Sequence, residues 1–279
     1  MQLKTSRIEF SAMVKLATPV VCAELGWVFM GIVDTMMVGR LGADAIGAVS
    51  LGSSLFLAVA VFGIGLLFGL DTFVSQAFGA GNLGECRRWL VDGIHLSFLI
   101  TIPLSLIMLL PLTFLDSWGT DPSVAELTGP YLETLTLSIF PLFLYTSARR
   151  YLQAQSHVGI VMFTLVSANA VNALANWLLI FGNLGAPALG VTGAGWATLV
   201  SRIYLGAVLF LYIAWLERSR LRSLSRAFPR FSRPRIQRLA GLGFPAALQV
   251  TLEVGVFALA TALASRLDAI SLAAHQVAL

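Results

Sequence analysis

TPVVCAELGWVFMGIVDTMMVGRL, residues 18–41, is an apolar segment long enough to cross a bilayer as one helix. It contains a single aspartate, Asp34, set between Val33 and Thr35. A carboxylate at membrane depth costs roughly 2.5–3.5 kcal/mol on insertion scales, so stability rarely explains its presence. We therefore take Asp34 as the first candidate functional residue.

The composition is that of a polytopic membrane protein. Of 279 residues, 57% are hydrophobic and only 11% are charged, which lies outside the range of soluble globular domains. The net charge of +4 has little meaning for nucleic-acid binding, because basic residues in membrane proteins mostly determine loop orientation. No nucleic-acid partner is expected, and Cys22 and Cys86 do not form a disulfide framework.

Seven apolar segments have the length of a spanning helix, and an eighth begins at Leu272. Basic residues cluster before the first segment and after the second, fourth and sixth, so the positive-inside rule predicts a cytoplasmic N-terminus in the inner (cell) membrane. The predicted spans are residues 14–39, 45–70, 91–115, 131–149, 158–182, 190–216 and 239–264.

An Arg-rich segment, residues 217–238, separates two units of the chain. A shift of 226 positions superposes Pro19 on Pro245 and Arg40 on Arg266, so the sequence after this linker resembles the start of the chain. Because six spans precede the repeat, both copies have the same orientation, as in parallel transporter repeats. We predict an N-lobe at 1–216, a cytoplasmic linker at 217–238 and an incomplete C-lobe at 239–279, and we expect a truncated chain that lacks most of its C-terminal lobe.

Span five carries three amides on one face, at the i, i+3 and i+7 positions Asn169, Asn172 and Asn176. Since spans one and five both run outward, Asn176 lies at about the depth of Asp34. The two residues are therefore predicted to share a polar pocket in the outer half of the membrane. The alternative is that the amides only hold helices together, because interhelical amide hydrogen bonds contribute ~1 kcal/mol.

Other charges also fall inside the spans. Glu253 lies near the middle of span seven, while Glu24 in span one and Arg202 in span six have similar depths and are predicted to form a structural ion pair. Asp71, at the inner end of span two, is predicted to be structural. Gly65 and Gly69 form a small-xxx-small pattern, which is typical of close helix packing.

The sequence motifs do not indicate catalysis or metal binding. Gly79–Gly84 fits the dinucleotide fingerprint but follows a membrane span instead of a β-strand. Hydrolase, zincin and Walker motifs are absent from the sequence. We therefore predict that the protein is not an enzyme and has no cofactor or structural metal.

Several motifs together resemble the multidrug and toxic compound extrusion (MATE) family of secondary transporters. Their order and spacing cover nearly the whole chain. The matching stretches are VDTMMVGRLG (33–42), VSQAFGAG (74–81), YLQAQ (151–155), NALANWLLIFG (172–182), GVTGAG (190–195), LEVGVF (252–257) and AAHQ (273–276).

The resemblance implies an all-α membrane protein of twelve helices in two six-helix lobes around a central cavity. This chain would supply the six-helix N-lobe, the first helix of the second lobe and the start of the next. It implies antiport of cationic or amphipathic small molecules in exchange for H⁺ or Na⁺. The implied cation-coupling residues are Asp34, Asn172, Asn176 and Thr198 in the N-lobe and Glu253 in the C-lobe, with Na⁺ as a possible ion at Asp34 or Glu253.

Two further readings stay open at this point. A lipid-precursor flippase of the wider superfamily would carry several basic residues in the inner half of its cavity, whereas only Arg202 is placed there. The second alternative is an inactive half-transporter. A downstream open reading frame that encodes spans eight to twelve would favour an active transporter over this alternative.

Overall fold

The computed structural model describes residues 2–114, 121–220 and 231–264, which form nine α-helices joined by short turns and 3-10 segments. The predicted span beginning at Leu272 and the middle of the predicted linker lie outside the described residues. The helices are α1 (Gln2–Val38), α2 (Ala43–Leu66), α3 (Gly69–Gly79), α4 (Leu83–Leu109), α5 (Pro122–Leu137), α6 (Ile139–Ala154), α7 (Val158–Phe181), α8 (Gly190–Arg220) and α9 (Arg233–Ala264).

The protein is an all-α, multi-pass membrane protein. Within the described ranges six stretches are long and apolar enough to cross a bilayer, and α5 with α6 forms a seventh that is bent by 40°. Each of the seven predicted segments overlaps one of these stretches. The six unbroken ones are Val21–Leu41, Ala43–Gly79, Leu83–Thr113, Val158–Phe181, Gly190–Arg218 and Arg233–Val256.

Local sequence signals explain several helix ends. The Asn82 side chain accepts a hydrogen bond from the Glu85 amide at 3.0 Å and so caps α4. Asp121 caps α5 in the same way, accepting from the Ser123 amide at 2.9 Å, with Pro122 in the first turn. Gly182 ends α7 in the left-handed conformation, with φ of 71°, and donates its N–H to Leu178.

The helices pack into a bundle in which α7 lies between α1 and α8. Helix α8 also contacts α5 and α6, α4 packs on α6, and α2 contacts α5. This order brings span one against span five. It therefore places Asp34 and the asparagine face of α7 on neighbouring helices.

Helix α9 packs on α2 and α3 through glycines. A Cβ atom on Gly65 would clash with Ala247, one on Gly69 would meet Leu239, and one on Gly243 would overlap the backbone of Leu66. The helix-packing role predicted for Gly65 and Gly69 is confirmed, since only glycine allows the two backbones to approach this closely.

The bundle interior is packed with large side chains, whereas apolar residues at the perimeter remain exposed. Phe143, Tyr145 and Tyr151 are fully buried. Leu211 is 70% exposed and Trp215 is 68% exposed, as expected for a surface that meets lipid instead of water.

Candidate functional site

The candidate site is built where α1 meets α7. Asn176 donates a hydrogen bond from Nδ2 to the Asp34 carboxylate at 2.5 Å and a second one to Asn172 Oδ1 at 3.1 Å. Two turns before Asn176 on α7, Asn169 Nδ2 donates to the Gly26 carbonyl at 3.0 Å. The three amides thus face α1 as predicted, and two of them bind it directly.

Three polar atoms of these amides are buried without a hydrogen-bond partner in the described part of the chain. They are the amide oxygens of Asn169 and Asn176 and the amide nitrogen of Asn172, and the side chains of Asn172 and Asn176 are fully shielded from solvent. A buried polar atom without a hydrogen bond is costly and calls for an explanation. Here an unsatisfied carbonyl oxygen lies beside a carboxylate, an arrangement that suits a small cation or a hydronium-like donor.

Thr198 of α8 completes the cluster and lies beside the Asp34 carboxylate. Its hydroxyl donates to the Ala194 carbonyl at 3.0 Å, so the oxygen presents lone pairs to its other neighbours. The four residues that the resemblance places in the N-lobe cluster are therefore together in space. Among them they offer carboxylate, amide and hydroxyl oxygens.

Asp34 also forms part of the wall of a cavity of about 300 Å³. Trp27, Met30 and Gly31 line the same cavity, which agrees with their shared helix face. Across from them the Tyr131 hydroxyl and the Ser53 hydroxyl form a hydrogen bond at 2.9 Å. The remaining lining is largely apolar and includes Val28, Phe56, Leu57, Ala60, Ile64, Leu135, Leu142, Thr198 and Arg202.

The predicted pair between Glu24 and Arg202 is wrong. Glu24 binds Arg149 of α6 instead, while Arg202 donates to the Ser138 hydroxyl and lies 4.3 Å from the centre of the Phe56 ring. Glu24 precedes Asp34 by ten residues, or about 15 Å of helix, which brings it to the C-terminal half of α6. Arg202 is held at the bend between α5 and α6, in the cavity that contains Asp34.

Glu253 does not belong to this cluster. It lies on α9 with an exposed side chain and does not line the Asp34 cavity. Its predicted role in cation coupling therefore stays a prediction. Within the described residues the structure shows no group of three His, Cys, Asp or Glu side chains suited to a metal ion.

The sequence analysis did not predict several ion pairs that join neighbouring helices. Arg235 of α9 binds Asp92 at 2.5 Å, also binds Glu85, and lies 3.9 Å from the centre of the Trp89 ring. Asp71, predicted as structural, binds Arg150 at 3.0 Å. The only available signal was that Glu85 and Asp92 share a helix face at i, i+7, which did not identify their partner.

A bundle of apolar helices with a carboxylate and amides around an internal cavity is the architecture of a polytopic membrane transport protein. A family model described as MatE matches residues 19–178, more than half of the chain. The chain belongs to the MatE family.

Similar proteins agree with this assignment. The chain is 34% identical over 275 residues to the probable multidrug resistance protein NorM of Mesorhizobium japonicum, covering 98% of this chain and 59% of the relative. It is 32% identical to the multidrug resistance protein NorM of Aliivibrio fischeri, with 97% and 59% covered. The chain thus spans about three fifths of the length of these curated relatives.

Solved structures show the same fold. The eukaryotic MATE transporter AtDTX14 superposes with a TM-score of 0.81 at 27% identity, covering 93% of this chain and 57% of that one. An outward-facing multidrug resistance MATE family transporter of the MOP superfamily gives a TM-score of 0.73 at 21% identity, covering 90% and 54%. The predicted fold class is confirmed, and the chain corresponds to roughly half of a full-length MATE protein.

Proposed function

We propose that this chain takes part in cation-coupled export of cationic or amphipathic compounds, with H⁺ or Na⁺ as the coupling ion. The observation that carries the proposal is the Asp34 carboxylate, which accepts from Asn176 and faces a cavity of about 300 Å³. The names of the NorM relatives, multidrug resistance proteins, support drugs as exported compounds. A transporter is favoured over an enzyme by the membrane-spanning helices and by the names of the relatives.

The proposed mechanism uses the charge of Asp34 as a switch. While the carboxylate is charged it holds Asn176, and through it α1 to α7. A proton or Na⁺ at Asp34 competes for the same lone pairs and loosens this contact, whereas an organic cation in the cavity competes for the same charge. Because the two bound states differ in helix contacts, each cation biases a different conformation, which is the requirement for exchange.

The orientation proposed is that of the positive-inside rule, with the N-terminus and the linker in the cytoplasm and the bundle in the inner membrane. The second wall of the pathway is proposed to come from a C-terminal lobe that corresponds to the part of the relatives that this chain does not match. Glu253 is proposed to act in that lobe. Its exposure at the edge of α9 is compatible with a partner on that side.

A lipid-precursor flippase is the second candidate. Arg202 in the cavity favours it, since an anionic headgroup needs a cation there. However, Arg202 is the single basic residue in the described lining, and it shares the cavity with a carboxylate. Flux of an anionic lipid analogue by the reconstituted chain, with no flux of organic cations, would establish the flippase and overturn the exporter.

The test is counterflow of an organic cation in proteoliposomes, with pH and Na⁺ gradients imposed separately. We expect Asp34→Asn protein to insert and to retain its circular dichroism but to lose cation-dependent flux. Asp44→Asn is the matched control, because Asp44 is an exposed acid in the first turn of α2 and lies outside the cavity. Normal flux by the Asp34→Asn variant would refute the proposal. If the native chain shows no flux, and an added C-terminal lobe does not restore it, the inactive half-transporter is favoured instead.

A further inference from the structure

A second cavity, which we call the lateral cavity, lies on the other side of α5 from Asp34. It measures about 620 Å³ and is formed by side chains of α4, α5, α6 and α8. Tyr131 and Leu135 of α5 face the Asp34 cavity, whereas Glu133, between them, faces the lateral cavity. Two residues along a helix differ by about 200° in direction, so the two sites are separated by the body of α5.

Glu133 is an exposed carboxylate that has neither a hydrogen bond nor an ion pair within the described ranges. It precedes Arg149, at the inner end of the same bent span, by 16 residues, or about 24 Å of helix. With a hydrocarbon core about 30 Å thick, this places the carboxylate in the outer half of the bilayer. A charge there is costly without a counter-ion, so the site favours a positively charged partner.

The polar groups around Glu133 present acceptors. The hydroxyls of Thr101, Thr134 and Thr136 donate to backbone carbonyls of their own helices at 2.7, 2.8 and 2.7 Å, which leaves only oxygen lone pairs for a ligand. Trp196, also in the wall, adds an aromatic ring of the kind that attracts cations. A carboxylate with threonine lone pairs matches a ligand that carries several N–H donors and a positive charge.

We propose that the lateral cavity binds a primary ammonium group carried on an apolar chain, which enters from the outer leaflet. A primary ammonium has three N–H donors for these acceptors, whereas a quaternary ammonium has none. The apolar part of the ligand lies against Leu109, Leu137 and the surrounding lipid. This site is independent of Asp34; it rests on the proposed membrane orientation but not on the proposed transport cycle.

The experiment uses the whole chain in phosphatidylcholine nanodiscs and measures fluorescence quenching of Trp196, taken as the difference between the native chain and a Trp196→Phe variant. The probe is a dodecylammonium brominated near its head group. The same chain with a trimethylammonium head or a hydroxyl head serves as the comparison. We expect saturable quenching by the primary ammonium, with a dissociation constant about tenfold lower than that of either comparison probe. A factor of this size corresponds to one charge-assisted hydrogen bond.

Variants then assign the binding to Glu133. Glu133→Gln should weaken binding of the primary ammonium about tenfold. Glu126→Gln is the matched control and should leave it unchanged, because Glu126 is an exposed acid on α5 two turns nearer the outside and is not in the cavity wall. If Glu133→Gln fails to fold, Thr136→Val, which removes an acceptor and keeps the shape, replaces it and should weaken binding to a smaller extent.

A second arm distinguishes the source of the ammonium. Phosphatidylethanolamine added to the nanodiscs should reduce quenching if the lipid head group occupies the site, and should have no effect if only free amphiphiles do. Either result supports the ammonium site. Equal quenching by the ammonium, trimethylammonium and hydroxyl probes, or unchanged binding in both Glu133→Gln and Thr136→Val, would overturn it.

Discussion

Asp34 of α1 accepts a hydrogen bond from Asn176 of α7 at 2.5 Å, although 142 positions separate the two residues in the sequence. The contact joins spans one and five, and its carboxylate is also part of the wall of the Asp34 cavity. Any change in the charge of the carboxylate therefore alters a helix–helix contact as well as the cavity. This link between charge and packing is what the proposed exchange mechanism requires.

The first prediction is that Asp34 and Asn176 act as a unit. Asn176→Ala should lose most of the cation dependence of substrate binding, and adding Asp34→Asn should cause little further loss, because one interaction cannot be removed twice. Substrate binding to the native chain, the two single variants and the double variant is measured by isothermal titration in matched buffers that differ only in pH or Na⁺. The coupling free energy between the two substitutions should be about 1 kcal/mol. Asp34→Asn combined with Asp44→Asn is the control pair and should be additive. Additivity of Asp34→Asn with Asn176→Ala would contradict the prediction.

The sequence predicted the site because its two signals are local. A carboxylate in an apolar segment identifies Asp34, and the i, i+3, i+7 spacing identifies the amide face of α7. The positive-inside rule then gave both helices the same direction and placed Asp34 and Asn176 at one depth. The spans were found for the same reason, since each depends only on a run of apolar residues.

Partners of the long cationic side chains were not predictable in this way. Depth alone paired Glu24 with Arg202, but the 40° bend after α5 brings Ser138 to Arg202, and Arg149 reaches Glu24 from the C-terminal half of α6. Which arginine reaches which acid depends on helix order and on that bend. Glu133 was missed for a related reason, since its significance comes from a cavity built by four helices.

The second prediction concerns the contact between α9 and α2. Gly243→Ala should destabilise the protein by about 1–3 kcal/mol, because the added methyl group overlaps the backbone of Leu66. Gly241→Ala is the matched control on the same helix, where nothing lies within 4 Å of an added Cβ, and should be neutral or stabilising by up to ~1 kcal/mol. Thermal unfolding in detergent followed by circular dichroism measures both. Equal melting temperatures for the two variants would show that α9 does not rest on α2.

The third prediction compares two ion pairs of different burial. The Asp92 side chain is only 3% exposed beside Arg235, so Asp92→Asn should cost about 1.5–3 kcal/mol by removing a buried charge-assisted hydrogen bond, although Arg235 keeps Glu85 as a partner. Glu24 is 57% exposed beside Arg149, and Glu24→Gln should cost less than about 1 kcal/mol. Melting temperatures at low and high salt test this, since only the Glu24 pair should be sensitive to screening. A larger loss for Glu24→Gln would reverse the order and refute the argument from burial.

The last prediction concerns Arg202, a resident positive charge in the cavity that contains Asp34. Its guanidinium donates to Ser138 and lies 4.3 Å from the Phe56 ring centre, so it is fixed in place. A fixed cation repels any other cation in the same cavity by ~1–2 kcal/mol at an effective dielectric constant of about 20. Arg202→Gln should therefore tighten the binding of tetraethylammonium about tenfold.

Arg202→Lys provides the control for this prediction because it keeps the charge and changes the shape. It should bind tetraethylammonium as the native chain does, although it loses the planar stacking of the guanidinium on Phe56. Melting temperatures of both variants report any structural role of the hydrogen bond to Ser138. If Arg202→Gln changes the melting temperature but leaves tetraethylammonium affinity unchanged, Arg202 acts only as a support for the α5–α6 bend and not as an electrostatic element of the site.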